Sequence, residues 1–133
     1  MSQGNVEIVR AVLEAFNGED MARTLALIGS DFEGEVPPSF SAEPDTYRGH
    51  EGVRRYFESF HDAMSDIHFH PERFWDAGES VVVEVRLTAK GRTSAIPVEQ
   101  RIVQVWSVRG GKARAARSYE SVSDAIAAAG LSE

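Results

Sequence analysis

Cysteine is absent from the 133 residues, which excludes disulfides, thiolate nucleophiles and every metal site built on sulfur. Cations are scarce as well: 14 Lys and Arg stand against 21 Asp and Glu, a formal net charge of -7. No tract gathers them into a stripe, and "RYFESFHDAMSDIHFHPER" mixes both signs. A nucleic-acid surface needs clustered Lys and Arg to displace counterions from phosphates, so that partner is not expected. Long apolar runs are missing too. None approaches the ~20 residues of a membrane span, and the start "MSQGNVEIVRAVLEAFNGED" has no basic segment leading into an apolar one. The expectation is a cytoplasmic chain with no membrane partner.

What is present is ordinary globular material, with 42% hydrophobic and 26% charged residues. The length suits one core, and a single domain over 1–133 is expected. In "NVEIVRAVLEAFNG" the apolar residues Val6, Val9, Val12, Leu13 and Phe16 recur at three- and four-residue spacing, with Asn5 as cap and Asn17-Gly18 as stop. "DMARTLALIG" predicts a second helix, capped by Asp20 and ended by Gly29. "DFEGEVPPSF" alternates as a short edge strand until Pro37-Pro38, and "SAEPDTYRG" reads as a loop. From Gly49 the helical spacing returns with Val53, Tyr56, Phe57, Phe60 and Met64 on one stripe.

The remainder is rich in strands: "DIHFHPERFWD", "ESVVVEVRLTAKGR", "IPVEQRIVQVWSVR" and "KARAARSYE", joined by turn-type residues. In the second of these, Val81, Val83, Val85 and Leu87 oppose Val82, Glu84, Arg86 and Thr88, a two-residue period with one buried face. A last helix, "SVSDAIAAAG", is capped by Ser121 or Ser123. Helices followed by long antiparallel strands predict an α+β fold, in which a curved, mostly antiparallel sheet wraps the helices around a conical cavity. Such cavities are default ligand sites.

The phrases "VLEAFNGED", "YRGHEGVRRYFESF", "VWSVRGGKA" and "DAIAAAG", in that order, resemble the nuclear transport factor 2-like superfamily in its SnoaL-like branch, over nearly the whole chain. The resemblance implies that superfamily's cystatin-like roll and commonly a homodimer through the outer sheet face. It does not imply one activity, because this fold hosts isomerases, cyclases, epoxide hydrolases, dehydratases and non-catalytic binders. Ketosteroid isomerase shares the fold. The position matching its general base is Val36, that of its oxyanion-hole tyrosine is Leu13, and that of its protonated aspartate is Gln104. All three roles are altered, which sets steroid isomerisation by that mechanism aside. The Asp, Arg, Asp set of the epoxide hydrolases is not recognisable either.

The hairpin at Arg109-Gly110-Gly111-Lys112 decides which polar residues face the cavity. A two-residue turn pairs Arg109 with Lys112 and sets Gln104 with Arg117. A turn with Gly111 as a bulge residue pairs Val108 with Lys112, Gln104 with Ala116, Ile102 with Ser118 and Gln100 with Glu120. The second is favoured because the family phrase resembles it. It puts Gln100, Gln104, Ser118 and Glu120 inside and Arg101, Val103, Val105, Arg117 and Tyr119 outside.

On this reading Glu120 is the candidate proton-transfer group, its pKa raised by an apolar pocket, and Gln104 orients a substrate carbonyl. Phe16, Phe32, Val36, Tyr56, Phe60, Trp75 and Trp106, with Gln100 and Ser118, are the expected ligand contacts. Phe40 and Tyr47 are further aromatic candidates. His68 and His70 share a strand face but lack a placed third ligand, so neither a metal nor a cofactor is expected. His61 borders an apolar stripe and Asp31 reads as a turn residue. Three readings stay open: a binder of a small, mostly apolar metabolite; an isomerase, cyclase or dehydratase using Glu120; and a non-catalytic dimeric interaction module.

Overall fold

The computed structural model describes residues 2–36 and 45–131. Helix α1 (Ser2–Asn17) and helix α2 (Met21–Leu27) lead into strand β1 (Ile28–Val36). Strand β2 (Asp45–Arg48) and helix α3 (Gly49–Ala63) follow, then strands β3 (Met64–Ala77), β4 (Ser80–Gly91), β5 (Pro97–Arg109) and β6 (Lys112–Tyr119), and helix α4 (Val122–Ala128). The six strands form one curved sheet in the order β2-β1-β6-β5-β4-β3. Only the β1–β6 pairing is parallel among these contacts; the rest are antiparallel.

The alternation in β4 has the anticipated consequence. Val81, Val83, Val85 and Leu87 join α1's Val6, Val9, Val12 and Leu13 in the main core, on what we call the inner face. The outer face is covered at Val82 and Val103 by Ala125 and Ile126 of α4. Of the two serines that could cap that helix, Ser121 does so, its side chain accepting the Asp124 N–H at 3.1 Å. Asp20 caps α2 in the same way, accepting from the Arg23 N–H at 3.0 Å.

Several elements differ from expectation for identifiable reasons. Asn5 lies inside α1 rather than capping it, and its side-chain amide donates to the Gly78 carbonyl at 2.9 Å, tying the helix to the β3–β4 turn. Helix α2 ends before Gly29: Ile28 is already extended (φ -109, ψ 132) and starts β1. The stretch read as a loop contains β2, whose Thr46, Tyr47 and Arg48 pair with Glu35, Gly34 and Glu33. Strand β1 is therefore not an edge; β2 occupies that place. Residues 37–44, including Pro37, Pro38 and Phe40, lie outside the described residues.

Two bulges set which side chains face inward. Between Pro71 and Arg73 the β3 register slips by one residue, so Phe74 pairs with inner-face Val83 and Trp75 with outer-face Val82. The second bulge lies in β6. The hairpin turn has two residues, Gly110 and Gly111, at φ 63 and 75, with Arg109 opposite Lys112 and Val108 opposite Ala113. Ser107 then pairs with Ala115, leaving Arg114 unopposed, and Gln104 pairs with Ser118.

Candidate functional site

Helix α1, helix α3 and the inner face of the sheet border a partly open cavity of about 100 Å³. Its walls are apolar: Val12, Leu13 and Phe16 come from α1, Ile28 and Phe32 from β1, Val53 from α3, Phe69 from β3, Trp106 from β5 and Ala116 from β6. The aromatic rings meet edge-on or tilted, with Phe16 5.5 Å from Phe69, Tyr47 5.0 Å from Tyr56 and Phe32 6.2 Å from Trp106. At this volume the space suits a compact ligand rather than the ~300 Å³ or more of a drug-sized one.

Four polar side chains reach this lining: Tyr47, Tyr56, Gln104 and Ser118. Gln104 and Ser118 face each other across β5 and β6. The Trp106 indole N–H donates to Gln104 Oε1 at 2.9 Å. Burial, followed by the proximity of Tyr47, pushes the Tyr56 hydroxyl well above its ordinary pKa, so it stays protonated and uncharged. Glu35 is the only charged residue bordering the cavity among the described residues, and its carboxylate turns away to Arg117 at 3.0 Å. The lining described thus holds no carboxylate or imidazole aimed inward. It can solvate a neutral polar group and enclose a hydrophobic one, but offers no proton-transfer pair.

Of the expected site residues, the structure brings Phe16, Phe32, Tyr56, Gln104, Trp106 and Ser118 together at the cavity. The expected facing of Gln104 and Ser118 is found, though by a different register. A two-residue turn would have set Arg117 beside Gln104; the Arg114 bulge restores the other phase, and Arg117 and Tyr119 lie outside, with Val105.

Glu120 is not inside. It is exposed, because β6 ends at Tyr119 and the chain turns at Ser121 into α4 before alternation can direct the carboxylate inward. Trp75 is also outside. The β3 bulge turns it to the outer face, where the Arg73 guanidinium stacks 4.4 Å from its ring centre. Gln100, opposite Leu87, lies beyond the cavity lining. Phe60 stands behind the wall, 5.8 Å from Tyr56 and 6.1 Å from Phe69. Val36 ends β1, and its side chain lies outside the described residues.

Among the other candidates, the His61 ring stacks on Phe57 at 4.0 Å and its Nδ1 lies 2.9 Å from the Phe57 carbonyl. Asp31 pairs with Arg114 at 2.9 Å. His68 and His70 sit 4.2 Å apart on the outer face, with His70 Nε2 3.0 Å from Thr88 Oγ1. No group of three or more metal-ligating side chains suited to an ion occurs among the described residues. Val12, Leu13 and Val53 belong to the apolar helical stripes of the sequence, and Ile28 and Phe69 carry no signal there that marks them for a site. Apolar spacing carries no sign that a residue borders a void rather than fills one.

A helical cone closed by a curved sheet, with an apolar cavity between them, is the architecture of nuclear transport factor 2-like proteins. The SnoaL-like domain family matches residues 9–116, and the chain belongs to that family. An NTF2-like protein of unknown function from Burkholderia pseudomallei superposes with a TM-score of 0.79 at 22% identity, over 93% of this chain and 95% of that one. A protein with a ketosteroid isomerase-like fold from Catenulispora acidiphila, solved in complex with trimethylamine, gives 0.75 at 20% identity, over 95% and 94% of the two chains. A putative polyketide cyclase from Sinorhizobium meliloti gives 0.70 at 16%, over 90% and 99%. No curated protein sequence matches the chain.

Proposed function

We propose that this SnoaL-like protein binds a small, uncharged, mostly apolar metabolite in the cavity between α1, α3 and the sheet. The observation carrying this reading is the lining itself, apolar and aromatic walls interrupted by uncharged Tyr47, Tyr56, Gln104 and Ser118. An ionised ligand would be desolvated there with no opposite charge to meet it. A flat, oxygenated ring of the polyketide kind suits such walls, and a putative polyketide cyclase is among the structural neighbours. Binding rather than turnover is the reading, since Glu120 is exposed and the described lining lacks an acid or base.

The protein acts as a homodimer through the outer sheet face on this proposal. Support comes from Val105 and Tyr119, part-buried apolar surface beside α4, next to a rim of alternating charges on Glu72, Arg86, Glu99 and Arg101. A cysteine-free composition suits the reducing cytoplasm proposed as its location.

Native mass spectrometry of the purified protein tests both parts. A dimer carrying a discrete added mass is expected. Ala116→Phe, which places a ring in the cavity, should fold and lose that mass. Retention of the mass by this variant would show that the ligand sits elsewhere, and a ligand-free monomer that takes up no added aromatic ketone would end the proposal.

A further inference from the structure

Trp106 and Gln104 are two apart on β5, so both side chains leave the strand on its inner face. An indole N–H can only donate, and an amide presents one acceptor oxygen and one nitrogen with two donor hydrogens. The 2.9 Å bond from Trp106 Nε1 to Gln104 Oε1 therefore orients the amide. Its nitrogen is the free end, with no hydrogen bond among the described residues, in a side chain that lines the cavity. Reversing the amide would set two donors face to face and leave the part-buried indole N–H without an acceptor, the costly outcome for a group removed from water.

We infer that Trp106 sets the hydrogen-bond polarity of the cavity: by holding Gln104 with its NH2 inward, it selects a ligand that presents an accepting oxygen, such as a ketone or quinone carbonyl, over one that presents an N–H. This rests on the cavity being the ligand site. Trp106 is thus a specificity-determining residue acting through Gln104, in addition to being a wall. The donor end of the amide also opposes a cation, so the ring faces around the cavity do not form an ammonium cage. Ser118, opposite Gln104, carries a hydroxyl that turns to suit either partner, and the protonated Tyr56 hydroxyl does the same, so neither imposes a polarity.

Two bicyclic probes of similar size separate the cases: 1-indanone, whose carbonyl only accepts, and indole, whose N–H only donates. Dissociation constants are measured by NMR titration, with thermal unfolding to establish that each variant is folded. The wild type should bind 1-indanone about tenfold more tightly than indole, the factor that corresponds to one forced amide reversal. Trp106→Phe keeps an aromatic wall but frees the amide to turn, and should bring the two constants within about twofold of each other. Gln104→Met, which keeps the side-chain length and a weakly accepting sulfur for the indole N–H but carries no donor, should do the same, and provides the answer if the Trp106 variant does not fold. A tenfold preference surviving in either variant would overturn the inference, as would equal binding of the two probes by the wild type. Wild-type protein that binds neither probe would instead remove the ligand-cavity reading on which the inference rests.

Discussion

At the end of α1 one side chain substitutes for backbone pairing. Asn17 Nδ2 donates to the Phe69 carbonyl and Asn17 Oδ1 accepts the Phe69 N–H, both at 2.8 Å. The amide thus fastens the helix to β3 beside a slip in the β3–β4 register, and it holds Phe69, a cavity wall, in place. Asn17→Ala leaves a part-buried N–H and C=O without these partners. It should lower the unfolding free energy by about 1–3 kcal/mol in urea titrations, with a weaker ligand affinity following from the displaced Phe69 ring. From the sequence Asn17 was legible only as a helix stop. Helix stops are local chemistry, whereas the partner of this one is 52 residues away. The same limit applies to Trp75, a residue type suited to a ligand wall that a single bulge at Glu72 turns to the other face.

Between elements, contact distance decides more than residue type. Gly52 in α3 lies so close to β2 that a Cβ there would stand 2.8 Å from the Tyr47 carbonyl carbon. Because the obstructing atom is backbone, a side chain cannot swing aside, and helix and strand have to part. Gly52→Ala should therefore cost about 1–3 kcal/mol despite alanine's better helix propensity, and should weaken probe binding by moving Tyr47. Thermal unfolding and NMR titration of this variant check the two effects. An unchanged or raised melting temperature would show that β2 and α3 tolerate the shift. The glycine itself was visible in the sequence as part of the phrase opening the third helix. Its reason was not, since β2 fell in a stretch read as a loop for want of alternation long enough to mark a strand. The hairpin carries a related lesson: Gly110 and Gly111 announce a turn, but only the bulge at Arg114 sets the phase that puts Gln104 and Ser118 inside.

For the whole molecule, the outer face makes stability depend on pH. Burial lowers the His70 pKa below 6.5, the charges of His68 and Arg86 act in the same direction, and Glu72 and Glu99 oppose them. An imidazole depressed in the folded state is protonated first in the unfolded chain, so stability falls as pH drops through the ordinary value and levels off below the folded one. Urea titrations from about pH 7 to about pH 5 should show this loss, and His70→Gln should flatten it; an equal slope in the variant would assign the effect elsewhere. More acid conditions bring a second loss. Burial works to raise the Glu72 pKa, but the Arg101 and Arg86 hydrogen bonds outweigh it, and the Arg114 bond lowers that of Asp31. Both carboxylates therefore stabilise above their ordinary values of 4.5 and 3.8 and cease to as pH falls through their folded ones. The α+β class, the helix stripes, the inward valines of β4, the Asp20 cap and a serine cap at Ser121 or Ser123 were determined by sequence alone, because periodicity and capping act within a few residues. Tertiary structure alone decided the exposure of Glu120, the outward turn of Trp75, the pairing of Gln104 with Ser118 and the Trp106 bond that orients its amide. Each depends on where a strand ends or slips by one residue, and a slip of one exchanges the two faces of a sheet.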